Sequence, residues 1–179
     1  MNRLFVAIEL PPEVKEGFRS IQEPLKKSSA RLTLVDPDLI HITLKFIGDT
    51  PDAVTRQIAD ALGVLKEEPF PIQVKGISGN NIRQPRVIWA NVEDGGKCGV
   101  LHSRIEGHLA PFGVKKEDRA FRPHATVARV KEFHPDLIEF LKPLRDREFG
   151  NGMVSGFSLK KSTLTPKGPI YQTIKEVLF

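Results

Sequence analysis

Apolar residues along the chain recur with two different periods, and the switches between them mark out its elements. Leu4, Val6 and Ile8 alternate with Phe5 and Ala7, the period of a strand over residues 3–9. After Pro11-Pro12-Glu13, Val14, Phe18, Ile21 and Leu25 follow at steps of four, three and four, a helical stripe with proline at its start. Residues 31–35 read as a short strand ended by Asp36-Pro37, and 40–47 as a stronger one. Gly48-Asp49-Thr50-Pro51 then turns the chain into a second helix, with Thr50 as N-cap and a stripe of Val54, Ile58, Ala61, Leu62 and Leu65. Strands are expected over 70–77 and 86–92 around the Gly79-Asn80-Asn81 turn. Asp94-Gly95-Gly96 opens a helix carrying Leu101, Ile105 and Leu109, and Pro123 precedes a strand over 124–130. A short helix over 135–141 and two strands, about 154–164 and 170–178, finish the pattern. Helices interleaved with hairpin-like strand pairs predict an α+β fold with antiparallel sheets.

The order strand, helix, strand occurs twice: Phe5, the helix over 14–25 and His41, then Trp89, the helix over 101–109 and His124. From Phe5 to His41 is 36 residues and from Trp89 to His124 is 35. Such a long unit suits two similar lobes facing each other rather than a solenoid. The closing strands of the two units carry one pattern, His41-Ile42-Thr43-Leu44 and His124-Ala125-Thr126-Val127. In a strand, residues i and i+2 share a face, so His and Thr project together while the apolar pair turns to the core. Two such pairs meeting across a cleft place an imidazole on each side of one substrate atom. In-line phosphoryl displacement needs this, with a base on the attacking oxygen and an acid on the departing one. Histidine suits both roles at neutral pH, and the threonine hydroxyls suit the non-bridging phosphate oxygens.

Composition narrows the setting. The 179 residues hold 27 basic and 22 acidic side chains, a formal charge of +5, with 40% hydrophobic and 27% charged residues. That is ordinary for a folded globular protein and mildly favours anionic partners. No apolar run approaches the roughly 20 residues needed to cross a bilayer. The N-terminal stretch lacks the apolar core of a signal peptide, and a cytoplasmic protein with no membrane association is expected. Cys98 is the only cysteine, which excludes an intramolecular disulfide and a four-cysteine zinc site. No His, Asp and Glu grouping matches a metal site, and Thr165-Pro166-Lys167-Gly168 lacks the Walker pattern. No cofactor and no metal are therefore expected.

The duplicated His-x-Thr-x with apolar x resembles the 2H phosphoesterase superfamily. The surrounding residues, 3–8, 41–48 and 121–129, are similar to those of the RNA 2',3'-cyclic phosphodiesterases, once described as 2'-5' RNA ligases. The resemblance runs over essentially the whole chain, including Ser162-Thr163-Leu164 and Tyr171. It implies one domain over residues 1–179, a bilobal α+β fold. Two pseudo-symmetric antiparallel sheets would line a central cleft with helices outside, each lobe giving one His-x-Thr-x strand. It also implies metal-independent opening of an RNA 2',3'-cyclic phosphate to a 2'-phosphomonoester, with His41 as proton donor and His124 as proton acceptor. The implied partner is an RNA end, tRNA fragments included, and a monomer is the default state. Two other readings are ATP-independent 2'-5' joining of RNA ends by the same histidines, and an RNA-end-binding module without turnover.

Supporting residues follow from alternation and from the resemblance. Arg129, five residues after His124, is a phosphate ligand by resemblance, yet its odd offset puts it on the wrong face unless a bulge intervenes. Lys45, at an even offset from His41, is expected on the cleft face, attracting the RNA backbone. Phe5, Trp89 as its repeat mate, and Tyr171 are candidate base-stacking residues, and Arg122 is a candidate phosphate contact. Basic clusters at Lys26-Lys27-Arg31, Lys115-Lys116-Arg119-Arg122 and Lys160-Lys161-Lys167 would add salt-sensitive affinity for a phosphate-bearing substrate.

Overall fold

A computed structural model describes residues 1–81, 83–166 and 168–179; Lys167 of the last basic cluster lies outside them. The elements are β1 (Asn2–Glu9), α1 (Pro12–Lys26), β2 (Arg31–Leu34), β3 (His41–Thr50), α2 (Asp52–Gly63), β4 (Phe70–Gly79) and β5 (Val87–Glu93). They continue as α3 (Lys97–Leu109), β6 (His124–Glu132), α4 (Leu137–Leu141), β7 (Glu148–Val154), β8 (Gly156–Thr165) and β9 (Gly168–Leu178). Every pairing is antiparallel, in the order β7-β4-β5-β6-β3-β1-β8-β9, with β2 added to β6. The α+β architecture is therefore as the pattern predicts.

The two expected sheets meet as one. β3 and β6 share a single registered pair, Ile42 opposite Ala125, and then diverge. β2 occupies the edge of β6 that β3 leaves, with Thr33 opposite Arg129 and Leu34 opposite Ala128. Each His-x-Thr strand thus stands at the inner edge of a four-stranded half, β3-β1-β8-β9 or β6-β5-β4-β7.

One core joins the halves. Leu4, Val6, Ile8, Ile42, Leu44, Ala125 and Val127 from the sheet pack with Val14, Phe18, Ile21 and Leu25 of α1, Ile58 and Leu62 of α2, and Leu101, Ile105 and Leu109 of α3. Burying such side chains contributes roughly 1.5–3 kcal/mol each, so the apolar pair inside each motif anchors the polar pair. Asp94 caps α3 by accepting from the N–H groups of Gly96 (3.0 Å) and Cys98 (2.6 Å).

Two expectations at element ends change. Thr50 is the last residue of β3 rather than an N-cap, and its hydroxyl donates to the Gly48 carbonyl. Pro51 is extended at ψ 151°, so α2 begins at Asp52. β7 is a strand that periodicity does not reveal, because Gly150 and Gly152 interrupt it. Its pairing with β4 makes it one, and the start of α1 packs so closely that a Cβ at Gly152 would lie 2.3 Å from Cγ of its N-cap, Pro11, and one at Gly150 3.1 Å from Val14.

Candidate active site

The register at Ile42–Ala125 decides how the two motifs meet. His41, Thr43, His124 and Thr126 flank that one pair, two on each strand, and by alternation they project to the face away from the helices. All four side chains are half-buried.

Both imidazoles are oriented in the same way. His41 Nδ1 lies 2.8 Å from the Leu39 carbonyl and His124 Nδ1 lies 2.9 Å from the Arg122 carbonyl, in each case two residues upstream. A carbonyl only accepts, so each Nδ1 carries a proton and each Nε2 is left for chemistry. For His41 the carbonyl is supplied by a 3₁₀ turn, Pro37–Leu39, whose N-cap Asp36 accepts from the Asp38 N–H.

A matched bulge in each motif strand reassigns the residues beyond the threonines. β1 pairs Ala7 with Thr43 and Val6 with Lys45, leaving Leu44 as the extra residue. β5 pairs Trp89 with Thr126 and Ile88 with Ala128, leaving Val127 extra. Lys45 accordingly turns to the helix side, where it is 2% exposed and ion-paired with Glu106. The expectation that it draws RNA into the cleft is corrected, because one inserted residue reverses the alternation. The same shift returns Arg129 to the cleft face, exposed, with Phe46 in the corresponding place on β3.

The aromatic candidates divide. Phe5 is 3% exposed beneath the rings of His41 (5.0 Å between centroids), Tyr171 (5.0 Å) and Phe46 (6.2 Å), so it supports the site and has no face left for a base. Register also corrects its partnership with Trp89: β1 places Ala7 opposite Thr43, whereas β5 places Trp89 opposite Thr126, and the mate of Phe5 is Val87. Trp89 packs 5.1 Å from the His124 ring. Tyr171 meets His41 edge-on at 5.4 Å. Burial pushes its phenol up, opposed by the positive charge of Arg129. Phe46, 67% exposed, is the cleft-side aromatic that sequence reasoning missed, because the bulge hides its face.

Charges distinguish the two histidines. Glu9 faces His41 across β1 and pairs with Lys160 and Lys15, whereas Asn91 faces His124 across β5. The Asn91 amide donates to the carbonyl of Gly76, whose left-handed backbone (φ +76°) lies against the Arg145 carbonyl and leaves no room for a Cβ. Burial lowers the His41 pKa below the ordinary imidazole value of 6.5, with the Leu39 carbonyl and Glu9 pulling the other way. A cavity of about 750 Å³ opens beside His124, lined by Ser78, Trp89, Asn91, Arg122 and Arg145. Of the basic clusters, Lys26 and Arg31 are paired with Glu23 and Glu132, while Lys115, Lys116, Arg119 and Arg122 are exposed on the segment entering β6. Among the described residues no group of three or more His, Cys, Asp and Glu is placed to hold a metal ion.

This arrangement defines a phosphoesterase class of fold, shared with the TT0787 protein of Thermus thermophilus. The two superpose with a TM-score of 0.81 at 28% identity, over 98% of this chain and 97% of that one. LigT of E. coli, solved with 3'-AMP, has the same fold at a TM-score of 0.82 and 22% identity, over 99% and 98% of the two chains. The family described as LigT-like phosphoesterase matches twice, over residues 8–89 and 94–171, one His-x-Thr motif in each match. The chain belongs to the LigT-like phosphoesterases of the 2H superfamily. Among its relatives, the RNA 2',3'-cyclic phosphodiesterase of Archaeoglobus fulgidus is 33% identical over 174 residues, covering 97% of this chain and 98% of that protein. The RNA 2',3'-cyclic phosphodiesterase of Methanocaldococcus jannaschii is 34% identical over 177 residues, covering 97% and 99%.

Proposed function

We propose that the protein is an RNA 2',3'-cyclic phosphodiesterase, working without metal or cofactor as one domain over residues 1–179 whose two interleaved lobes each contribute one histidine. The observation that carries this reading is the paired His-x-Thr strands, in each of which the histidine Nδ1 donates to a backbone carbonyl and so leaves Nε2 as the titrating atom. His124 Nε2 takes a proton from water as its oxygen attacks phosphorus. The bond from phosphorus to O3' breaks, and His41 gives its Nε2 proton to that oxygen, leaving a 2'-phosphomonoester. Exchange with solvent then resets the two imidazoles. Thr43, Thr126 and Arg129 hold the non-bridging oxygens as charge moves through the transition state. The substrate is an RNA end, tRNA fragments included, and the enzyme acts in the cytoplasm as a monomer.

The test is an assay with chelator present on a short RNA ending in a 2',3'-cyclic phosphate. Full activity and a 2'-phosphate product are expected; a 3'-phosphate, or loss of activity on chelation, rules the mechanism out. The cavity beside His124 also favours a second reading, joining to a 5'-hydroxyl through a 2'-5' bond, because it has room for more than water. A 2'-5' linked product formed with a 5'-hydroxyl RNA in the same assay identifies it.

The lowered His41 pKa sets a sign for the pH dependence. An acid must be protonated, and in the free enzyme His41 loses its proton below the ordinary 6.5. A lowered pKa leaves a smaller fraction of His41 protonated at neutral pH in the free enzyme than an ordinary imidazole would. Bound phosphate supplies an anion that favours imidazolium, so kcat is expected to hold to higher pH than kcat/KM. Initial rates between about pH 4.5 and 8.5 on the parent and on His41→Ala check this; a bell that survives His41→Ala excludes His41 as the acid.

A further inference from the structure

A buried charged cluster lies behind the catalytic face, and the acid–base chemistry does not use it. Lys45 Nζ meets Glu106 Oε1 at 2.5 Å and Glu117 Oε1 at 3.4 Å. The same Glu106 oxygen accepts the backbone N–H of Glu117 at 2.8 Å. One turn earlier on α3, buried His102 donates from Nδ1 to the carbonyl of Leu44, the bulged residue, at 2.7 Å. Its ring stacks on Phe121, with centroids 4.5 Å apart and 15° between the planes. Burial pushes the Glu106 carboxyl up, but Lys45 and the Glu117 N–H outweigh it and hold the group ionised. β6 has no such cluster, since buried Ala128 stands where β3 has Lys45.

Stability alone is a poor account of this cluster. Replacing a buried ion pair with apolar groups of similar volume is often neutral or stabilising. What the ions add is a fixed point. The Glu117 N–H and the Phe121 ring both belong to the segment between α3 and β6, and both are tied to α3 and to the bulge of the His41 strand. Three residues after Phe121 comes His124, and the Arg122 carbonyl between them orients its ring.

We propose that Lys45 and Glu106, with His102, are positioning residues for His124: they clamp segment 113–123 to the β3 bulge and so aim His124 Nε2 at the phosphate. The clamp ties the two motifs from behind, where in front they share one registered pair. The proposal rests on the reading of His124 as proton acceptor.

Two variants separate positioning from stability. Glu106→Gln keeps an oxygen for the Glu117 N–H but removes the nearer of the two carboxylates that face the Lys45 ammonium, leaving it only the half-exposed Glu117 at 3.4 Å. Its Tm is expected to fall, while kcat per folded molecule stays within about threefold of the parent. Lys45→Met/Glu106→Leu removes the buried charges and the acceptor together. There Tm is expected to stay close to the parent, kcat on a nucleoside 2',3'-cyclic phosphate to fall about tenfold or more, and KM to change less than about threefold. The limb of the rate profile governed by His124 is expected to move in the double variant and not in Glu106→Gln. Phe121→Leu loosens the same segment without touching a charge and is expected to lower kcat in the same sense, which keeps the test open if the double variant unfolds. Parental kcat and profile in the double variant, or parental kcat in Phe121→Leu, overturns the proposal. His124→Ala is measured alongside. If it stays active, the proton-acceptor reading falls; if it is inactive while the double variant is fully active, only the clamp falls.

Discussion

Alanine at either His41 or His124 is expected to lower kcat for opening a 2',3'-cyclic phosphate about 10²–10⁴-fold, the usual contribution of a positioned acid or base. The two losses should not add. Acid and base act in one displacement, so the double alanine variant is expected to be little slower than either single one. His124→Asn sharpens the test, because its amide can still donate to the Arg122 carbonyl but cannot titrate. Its rate is expected at the alanine floor. Stability separates the two positions: His41 packs against Phe5 and Tyr171, so His41→Ala is expected to lower Tm more than His124→Ala, which leaves the open cavity side. Single-turnover rates and thermal melts check both points. A rate within tenfold of the parent in either alanine variant would sink the two-histidine mechanism.

Arg129→Ala is expected to have the next largest effect, a loss of about 10²–10³ in kcat, as when one preorganised donor to a developing charge is removed. Arg129→Lys is expected to recover only part of this loss, since a lysine keeps the charge but not the planar fork that matches two phosphate oxygens. The protein carries its own reporter. Tyr171 is the only tyrosine, and the positive charge of Arg129 holds its phenol below where burial alone would set it. Removing that charge is expected to raise the Tyr171 pKa further, a change read directly from the ultraviolet titration of tyrosinate. An unchanged Tyr171 titration would place Arg129 away from the site, and an unchanged kcat would remove it from the mechanism.

The reach of the sequence differs between elements for physical reasons. The helical stripe of α1 and the strand period of β1 are visible because one face of each packs on the core. β7 is hidden because Gly150 and Gly152, needed for the close approach of α1, remove the very side chains that carry a period. His41 and His124 stand out in the sequence as candidates because duplication of a His-x-Thr pattern is visible without any knowledge of contacts. Phe5 was readable as a cleft-face residue but not as a buried one, since the rings that cover it come from β3 and β9.

From the sequence alone came the α+β class, the duplicated motif, the chemistry its residue types support and the family resemblance. Only the tertiary structure decided which residues stand with the histidines. Side-chain direction in a strand reverses with each inserted residue, and the two bulges at Leu44 and Val127 exist because of how β1 and β5 pair with their neighbours. Those pairings buried Lys45 and turned Arg129 to the cleft face, while the single β3–β6 pair, Ile42 opposite Ala125, brought the two motifs together.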